Sequence, residues 1–418
     1  MLSASRFVPL RPYLIGKYAE ITAGETLRCS ATIWPRRNLA SASSGSAPAA
    51  SSQQKPTAIL LLNMGGPKDI ASVHSFLYNL FSDADLIPLP FQSLLAPLIT
   101  RRRTPKIQKQ YAEIGGGSPI LEWTQKQAFG MCNRLQEKRP MQTFKPYIAF
   151  RYVPPSTEDA VKAMIKDGVE RCVVFSQYPQ YSCSTTGSSL NQLKDVIMSH
   201  HVENKIQWST IDRWMDHPGL FHAIATRVRQ SLEKFPSSER DLVPILFSAH
   251  SLPLDTVARG ETYQLDVAVT AHGVMQHLGI RNPWMVSWQS KVGPKQWLTP
   301  STDAVLEFWA KKGMKNAVIV PVAFTTDHIE TLYELDLEYI PMAKKLGMTG
   351  LVRAESLNDL PEFTQAMADV VDEHLHDVAS GYGPGGKRGL RGQCFACDKE
   401  RCRSTKAFFS DPQRIMSV

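Results

Sequence analysis

The chain has 418 residues, of which 43% are hydrophobic, and this is enough apolar material for two domains with their own cores. The net charge is +8, but six basic and two acidic residues among the first 37 supply half of it. The remaining chain is only mildly basic, which argues against a nucleic-acid-binding surface. No run of 18 apolar residues occurs, so no membrane-spanning helix is expected.

The first 54 residues have the composition of a targeting segment. Acidic residues are rare, and arginine, serine and alanine are frequent. Residues 39–54 contain one large apolar side chain, Leu39, which is too few to form a core. The pattern is typical of a mitochondrial transit peptide followed by a linker, and an ordinary disordered tail is the alternative. We therefore expect the first domain to begin at residue 55.

Short apolar strands recur along the rest of the chain, with helical stretches between them. They are predicted at Thr57–Leu62, Tyr147–Phe150, Cys172–Ser176, Ile206–Thr210, Val243–Phe247, Met285–Ser287, Asn316–Val322 and Thr349–Val352. Strands that alternate with helices form βαβ units and parallel sheets. Because one doubly wound sheet rarely takes eight consecutive strands, we predict two similar Rossmann-like α/β domains with a cleft between them. Their predicted bounds are 55–220 and 221–375, and a C-terminal extension with cysteines covers 376–418.

Residues 75–103, called the lip below, differ in character from the rest of the first domain. They are mostly apolar and end in three consecutive arginines, Arg101–Arg103. Pro88, Pro90 and Pro97 are expected to prevent one long helix. An apolar segment beside arginines fits a surface that dips into a bilayer and touches anionic headgroups. A core segment that packs on the sheet is an equally weighted alternative, and either would leave apolar side chains to line a cleft.

Functional side chains follow two of the predicted strands in the second domain. His250 comes just after the strand 243–247, and His328 and Glu330 come after the strand 316–322. Open parallel sheets bind ligands at the carboxyl ends of their strands. A lone histidine there is more often a structural residue, but a second polar cluster at the same edge favours a shared site. Aromatic and basic residues also follow other strands, so the cleft suits a large, flat, anionic molecule.

Glu330 begins a series of acidic residues at a spacing of four, continued by Glu334 and Glu338. This spacing places all three carboxylates on one face of a helix. A solvated acidic face is the ordinary interpretation, and Asp327 with Glu330 also fits a helix-capping box. A series of carboxylates that leads from solvent to a cleft would also pass protons or divalent cations. One histidine with carboxylates makes a labile site for Fe(II).

The sharpest local signal is the motif Cys394-x2-Cys397-x4-Cys402 in the C-terminal extension. Three cysteines at this spacing are typical of thiolate ligands. No histidine follows the motif, and Cys183 in the loop 180–187 is the best candidate for a fourth ligand. Four thiolates suit either zinc or an iron–sulfur cluster, and the spacing does not decide between them. Disulfides are disfavoured in a reducing compartment.

Together these motifs resemble ferrochelatase of the animal mitochondrial type, from about residue 55 to about residue 409. The resemblance lies in Leu62–Pro67, Arg102–Lys106, Gly115–Pro119, Phe150–Tyr152, Gln177–Gly187, Ser248–Pro253, Trp288–Pro294 and Phe324–Asp336. It implies a lyase that inserts Fe(II) into protoporphyrin IX, the last step of haem synthesis. It also implies a homodimer on the matrix side of the mitochondrial inner membrane, bound to the membrane surface. The cofactor implied is a [2Fe–2S] cluster whose ligands are Cys183, Cys394, Cys397 and Cys402.

The resemblance also assigns the site residues. His250 matches the histidine of the metallation centre, where it removes pyrrole protons, meets the metal, or does both, and Met64 faces the ring from the other side. The catalytic set implied is His250, Glu330, His217 and Asp369. The substrate-binding set is Arg103, Tyr111, Ser118, Met64, Lys106, Arg151, Tyr152, Tyr178 and Ser290. The metal path is Asp327, His328, Glu334 and Glu338. Further aromatic residues expected in the cavity wall are Trp214, Trp288 and Phe324. Nothing in the sequence itself supports the roles of His217 and Asp369.

The chain departs from the family pattern in the linker 376–393, which is longer and richer in glycine and arginine, and in the loop Arg259–Tyr263. Two other functions compete with the enzyme. A non-catalytic porphyrin or haem carrier needs the same cleft but has no use for a series of carboxylates. A nucleotide-binding redox protein is disfavoured because neither G-x-G-x-x-G nor G-x-x-x-x-G-K-[ST] occurs.

Overall fold

The computed structural model describes residues 55–392 and 394–411, so the predictions for residues 1–54 lie outside the described residues. In this described part of the chain, eight strands form two parallel four-stranded sheets. The first contains β1 (Thr57–Asn63), β2 (Phe144–Phe150), β3 (Arg171–Ser176) and β4 (Gln207–Ile211), in the order β2-β1-β3-β4. The second contains β5 (Ile245–His250), β6 (Trp284–Gln289), β7 (Asn316–Pro321) and β8 (Gly350–Arg353), in the order β6-β5-β7-β8. The predicted α/β class and the two groups of four strands are confirmed.

The apolar sequence of β1 is continuous because helices cover both faces of its sheet. Ile59 and Leu61 point into one cluster of core side chains, while Ala58, Leu60 and Leu62 point into another. All five are essentially inaccessible to solvent. Burial on both faces is the usual state of parallel strands, and it removes the polar alternation that a half-exposed strand would show.

Twelve α-helices are present in the described residues. They are α1 (Val73–Phe81), α2 (Gln92–Glu113), α3 (Ile120–Lys138), α4 (Thr157–Lys166), α5 (Ser188–Ser199), α6 (Pro218–Leu232), α7 (Leu254–Ala258), α8 (Tyr263–Leu278), α9 (Thr302–Lys311), α10 (Ile340–Lys345), α11 (Pro361–Ala379) and α12 (Glu400–Ser410). Cys183–Gly187 and Glu330–Tyr339 are π-helical, and Arg240–Leu242 forms a 3₁₀ turn. α11 follows the second sheet but packs on α3 and α6, where Arg139 donates to Asp372 at 2.6 Å. The two sheets therefore share one layer of helices.

The lip consists of α1, a connection and the first half of α2. Pro88 and Pro90 lie in the connection, as expected, but Pro97 lies inside α2 and does not end it. Pro97 is exposed, so water can reach the Ser93 carbonyl that loses its helical donor. One side of the lip packs in a small apolar cluster around Tyr111. Within the part of the chain that the structure describes, no helix is both long and apolar enough to cross a membrane.

Candidate active site

The two sheets each have a topological switch point, where the chain leaves a central strand and crosses to neighbours on opposite sides. β1 lies between β2 and β3, and β5 lies between β6 and β7. The residues at the carboxyl ends of these central strands are Asn63, followed by Met64, and His250. Crevices at switch points are where open α/β sheets bind ligands. The sequence expectation that His250 ends a strand at a ligand-binding edge agrees with this geometry.

His250 and His328 both face the carboxylate of Glu330. The Nδ1 atom of His250 lies 2.6 Å from the Ser251 carbonyl, and Nδ1 of His328 lies 3.0 Å from the Thr326 carbonyl. Because a carbonyl can only accept, each Nδ1 carries a proton, and each Nε2 is the atom left for chemistry. The Nε2 of His250 is 3.8 Å from Oε1 of Glu330, and the Nε2 of His328 is 3.7 Å from Oε2. Both imidazoles therefore present the same nitrogen to one carboxylate.

Glu330 is mostly buried, with 28% of its side chain exposed, and its Oε2 has no hydrogen-bond partner within the described residues. Burial raises the pKa of this carboxyl, but the nearby His250 and His328 lower it by more, so the net shift is downward. Burial raises the pKa of Tyr111, Tyr178 and Tyr263, and the charge of Glu330 raises these three values further. An ionised carboxylate with an unused oxygen, set among neutral phenols and two histidines, can accept a proton or bind a cation.

The other two carboxylates of the predicted series differ from Glu330 in their surroundings. Glu334 accepts from the Ser290 amide at 2.8 Å, the Ser290 hydroxyl, the Gln289 amide at 3.1 Å and the Tyr339 hydroxyl at 3.0 Å. These bonds fix the turn after β6, where Ser290 has φ +65°. Glu338 is exposed, and partial burial together with the charge of Glu334 raises its pKa. The carboxylates thus run from the interior to the surface along one π-helix.

Asp327, predicted to be part of the metal path, has its oxygens occupied by the protein. It accepts from Arg353 at 3.1 Å, Ser356 at 2.8 Å, Asn358 at 2.8 Å and Thr331 at 3.1 Å. Burial raises the pKa of Asp327, but Arg353 and the hydrogen bonds lower it by more. In this arrangement Asp327 anchors the loop that carries His328 and Glu330.

A buried amide network joins the two walls of the site, and the sequence did not reveal it. The Asn63 amide donates to Gln177 at 3.1 Å, and Gln177 donates to Gln127 at 2.8 Å. Gln127 then donates to the carbonyls of Thr325 at 3.1 Å and Asn358 at 2.9 Å. Gln127 is inaccessible to solvent on α3. A polar residue on the apolar face of that helix was the one signal that could have indicated such a network.

Met64 and Tyr178 are held at the first-sheet end of this network. The Met64 amide lies 2.7 Å from Oδ1 of Asn63 and 3.0 Å from the hydroxyl of Tyr178. The same hydroxyl donates to Asn63 at 2.9 Å. The network therefore fixes Met64 and Tyr178 relative to the loop that precedes Glu330.

The basic residues of the predicted substrate-binding set fall into two groups. Arg103 on α2 packs over the Phe81 ring with the guanidinium 5.8 Å from the ring centroid, and Lys106 is exposed one turn further along. Arg151 is buried and paired with Asp83 at 2.6 Å, and Tyr152 donates to the same carboxylate at 2.5 Å. Arg103 and Lys106 therefore have charges open to an anionic ligand, whereas the charge of Arg151 is already neutralised.

The remaining predicted substrate residue, Ser118, lies beside the glycines that follow β1. Its amide donates to the Pro67 carbonyl at 2.7 Å, and its hydroxyl lies 2.6 Å from where a Cβ on Gly66 would be. That close approach permits only glycine at position 66 without a shift of Ser118. Ser118 thus joins the start of α3 to the end of β1.

Among the described residues, the side-chain hydrogen bonds and ion pairs of His217 and Asp369 are with α3, α6 and α11 and not with His250. His217 is the N-cap of α6, where its Nδ1 accepts from the Gly219 amide at 3.1 Å, and burial lowers its pKa. Asp369 pairs with Lys138 of α3 at 2.9 Å.

The aromatic residues predicted in the cavity wall differ in their burial. Trp214 is completely buried and stacks on Phe363 in the core, because its ring lies under the helices and not at a cleft. Trp288 is also buried, and its ring centroid lies 6.1 Å from that of Tyr263. Phe324 is half-buried, and its ring centroid lies 4.7 Å from that of His328.

The four cysteines of the predicted cluster line a single cavity. Cys183 starts a π-helix, and Cys394, Cys397 and Cys402 come from the extension; Asp85, Arg259, Glu261, Lys399 and Lys406 line the same cavity. The other two described cysteines are buried core thiols whose pKa is raised by burial, that of Cys132 to about 12. Across residues 55–392 and 394–411, no three histidine, cysteine or acidic side chains converge closely enough to hold a single metal ion. Four thiols with cationic neighbours in one cavity nevertheless fit a thiolate-bound group.

The comparisons with known proteins point to one family. The model of the ferrochelatase family matches residues 56–375. The mitochondrial ferrochelatase of Xenopus laevis is 48% identical over 367 residues, which cover 87% of this chain and 88% of the relative. That of Homo sapiens is 49% identical over 366 residues, covering 86% and 85%, and that of Schizosaccharomyces pombe is 45% identical over 358 residues, covering 85% and 83%.

Proposed function

The chain belongs to the ferrochelatase family, and we propose that His250 and Glu330 form the centre at which it inserts Fe(II) into protoporphyrin IX. The reaction yields protohaem, releases two protons, is the terminal step of haem biosynthesis, and makes the protein a metal-inserting lyase. Fe(II) and the porphyrin are both substrates. The observation that carries the assignment is the pair of imidazole Nε2 atoms that face one carboxylate, 3.8 and 3.7 Å away.

His250 is suited to remove the pyrrole protons. Its Nδ1 proton is held by the Ser251 carbonyl, so the Nε2 lone pair is directed at the site. Pyrrole N–H groups are very weak acids, and a base helps most once the ring is bent and its lone pairs are exposed. Glu330 stabilises the imidazolium that forms, as a carboxylate beside a histidine does in other general-base sites. The protonated Nε2 faces Oε1 of Glu330, 3.8 Å away, and its proton leaves through that carboxylate.

The series Glu330, Glu334 and Glu338 provides the exit for the two protons. Glu330 is mostly buried and Glu338 is exposed to solvent, with Glu334 between them in the sequence. His328 shares the Glu330 carboxylate and can present a neutral nitrogen to an arriving cation. One or two histidines with a carboxylate bind Fe(II) weakly enough to release it, which insertion requires. We assign Asp327 to positioning this loop, since Arg353 and three neutral donors occupy it.

The wall opposite His250 consists of Met64, with Tyr111 and Tyr178 around Glu330. Two cations on α2, the half-buried Arg103 and the exposed Lys106, are placed to meet the porphyrin carboxylates, and arginine is well suited to that task. Ser118 and Ser290 act as wall residues on two fixed turns. Arg151 and Tyr152 support the lip through Asp83. We give His217 and Asp369 no contact with the reacting atoms and propose that they stabilise the packing of α6 and α11.

We further propose that Cys183, Cys394, Cys397 and Cys402 hold a [2Fe–2S] cluster. When bound, the cluster supplies iron–thiolate bonds that join the extension to the π-helix 183–187. Cys183 and the three cysteines of the extension, which are distant in sequence, reach the same cavity, and this supports the ligand set.

The protein is mitochondrial, as its named relatives are. We propose that it works on the matrix side of the inner membrane as a homodimer whose lip enters one leaflet. Phe91, Leu94 and Leu98 support this, with 78%, 72% and 63% of their surfaces exposed beside the exposed Arg101 and Arg102. Apolar side chains next to cations are typical of monotopic binding. The division into a leader (1–54), domains 55–220 and 221–375 and an extension (376–418) is part of this proposal.

Anaerobic turnover tests the central assignment. Purified residues 55–418 are mixed with Fe(II) and protoporphyrin in detergent, and conversion of the porphyrin spectrum is followed. We expect multiple turnovers, and we expect His250→Ala to bind porphyrin normally while metallation falls at least a hundredfold. Turnover retained in His250→Ala would remove the assigned base. A bound porphyrin spectrum that never converts in the unaltered protein would favour a porphyrin carrier.

A further inference from the structure

We propose that Asp85 is a positioning residue that connects the C-terminal extension to the lip. Asp85 lies in the connection between α1 and α2, and only 12% of its side chain is exposed. Its Oδ2 atom is 2.8 Å from Nη1 of Arg401 on α12, 3.0 Å from the Asn191 amide on α5 and 3.6 Å from Nη2 of Arg151. One carboxylate oxygen of the lip thus meets three separate parts of the fold. We call Asp85 with these three partners the Asp85 junction.

Charge balance makes the junction sensitive to Arg401. Asp83 and Asp85 stand beside Arg151, which is 2.6 Å from Asp83, and Tyr152 donates to Asp83 as well. Arg401 supplies the second positive charge that two carboxylates require. If α12 moves away, a mostly buried carboxylate loses its nearest cation, and such a loss costs more than loss of a surface pair. Arg401 itself is 44% exposed, so solvent screens the effect to a modest size.

The junction also touches the cysteine cavity. Arg401 directly precedes Cys402, and its other guanidinium nitrogen holds Asp195 of α5 at 2.5 Å. Asp85 and Asn191 line the cavity together with the four cysteines. The docking of α12 on α5 therefore fixes Arg401, Arg401 fixes Asp85, and Asp85 fixes the connection that carries the exposed apolar side chains of the lip.

Amide hydrogen exchange of the whole purified protein tests the link. The connection contains protected amides, since Ile87 donates to the Asp83 carbonyl at 2.9 Å and Leu89 donates to Gln92 at 2.9 Å. We expect Arg401→Gln and Asp85→Asn each to raise exchange in residues 83–91 about fivefold. Arg401→Lys should restore most of the protection. Arg403→Gln is the matched control, because Arg403 lies on the same helix and pairs with Glu400 at 3.1 Å.

Salt provides a readout that a purely structural role would not move. In the unaltered protein, exchange in residues 83–91 should rise between low salt and about 1 M salt, because screening weakens the junction. The rise should vanish in Arg401→Gln. The proposal is overturned if the amide exchange rate of residues 83–91 is the same in Arg401→Gln as in the unaltered protein. It is also overturned if Arg403→Gln raises that rate equally, or if the exchange rate of β1 rises equally in Arg401→Gln. A rate that does not depend on salt in the unaltered protein would overturn it as well. If the exchange rate of residues 83–91 rises only in preparations with lowered iron content, the effect belongs to the cysteine site, and this result also overturns the proposal. The readout is exchange and not turnover, so the result is independent of the proposed reaction.

Discussion

Replacing Gln127 with leucine tests whether the buried amide network holds the two walls of the site together. Leucine has nearly the same volume but cannot donate or accept. The change removes the bonds to the Thr325 carbonyl at 3.1 Å and the Asn358 carbonyl at 2.9 Å, and it removes the acceptor of the Gln177 amide at 2.8 Å. Each buried polar group left without a partner costs about 1–3 kcal/mol. The Thr325 carbonyl still accepts from the Asn358 backbone amide at 3.0 Å, so only the Asn358 carbonyl and the Gln177 amide lose their partners. At the lower limit, two such groups give a loss of about 2 kcal/mol in the free energy of unfolding.

The functional effect should be larger on insertion than on porphyrin binding. Met64 and Tyr178 lie at one end of the network and the loop before Glu330 at the other, so the variant loosens their relative positions. Errors of about 1 Å in a catalytic geometry cost about a hundredfold in rate. We expect kcat to fall at least about tenfold, while the porphyrin dissociation constant changes by less than about threefold.

Gln136→Leu is the matched control for this experiment. Gln136 lies on the same helix but bonds only to carbonyls near the helix end, at 3.3 and 3.4 Å. Denaturant unfolding gives the stability of each variant, and anaerobic turnover with fluorescence titration gives kcat and porphyrin affinity. A loss below about 1 kcal/mol in Gln127→Leu, or an equal loss of kcat in Gln136→Leu, would refute the reasoning.

Three further predictions follow from the electrostatics and the surface. His250 and His328 lower the pKa of Glu330, so its ionised form stabilises the fold above the ordinary carboxyl pKa of 4.5, and that stability is lost as pH falls through the lowered value. Glu330→Gln should therefore flatten the acid side of the stability–pH curve, measured by thermal unfolding, and an unchanged curve would contradict the assignment. Cys402→Ser should abolish the visible absorption and iron content of the purified protein while Cys132→Ala retains both, and a full iron complement in Cys402→Ser would exclude the ligand set. Leu94→Ser should weaken sedimentation with anionic vesicles several-fold, whereas Leu242→Ser, equally exposed elsewhere, should not.

The strands could be predicted from the sequence because their information is local. Each is a short apolar run bounded by polar or turn-forming residues. Strands of a parallel sheet are buried on both faces, so a short, continuous apolar run indicates such a strand. His250 could be placed for the same reason, since a polar residue directly after a buried strand must lie at the sheet edge. Glu330 could be placed by its position after β7.

The geometry of the helices was harder to predict from the sequence than the positions of the strands. The spacing of Glu330, Glu334 and Glu338 predicts a helical face but cannot distinguish an α-helix from the π-helix that forms. Pro97 is a second case in which the sequence did not reveal the helix geometry, since it was expected to interrupt a helix and lies inside α2. A proline removes one helical hydrogen bond and its ring crowds the carbonyl four residues earlier, and whether the helix continues past it depends on surroundings that the tertiary fold fixes. Trp214 was misplaced because a residue after a strand can turn inward as well as outward.

The partners of charged and polar residues were the least predictable part of the site. Asp83 and Arg151 are 68 positions apart, and Gln127 and Asn358 are 231 apart, so no sequence period relates them. Yet these partners decide what each residue can do. Arg151 next to Asp83 is a support, while Arg103 against a phenylalanine ring keeps a charge for a ligand. The type of a residue determines which chemistry its side chain can perform. Its neighbours in the fold determine whether its charge and hydrogen-bonding atoms remain available to a ligand. For that reason candidate site residues could be listed from the sequence and its family resemblance, whereas the division that we propose into reacting groups and positioning groups rests on contacts in the fold.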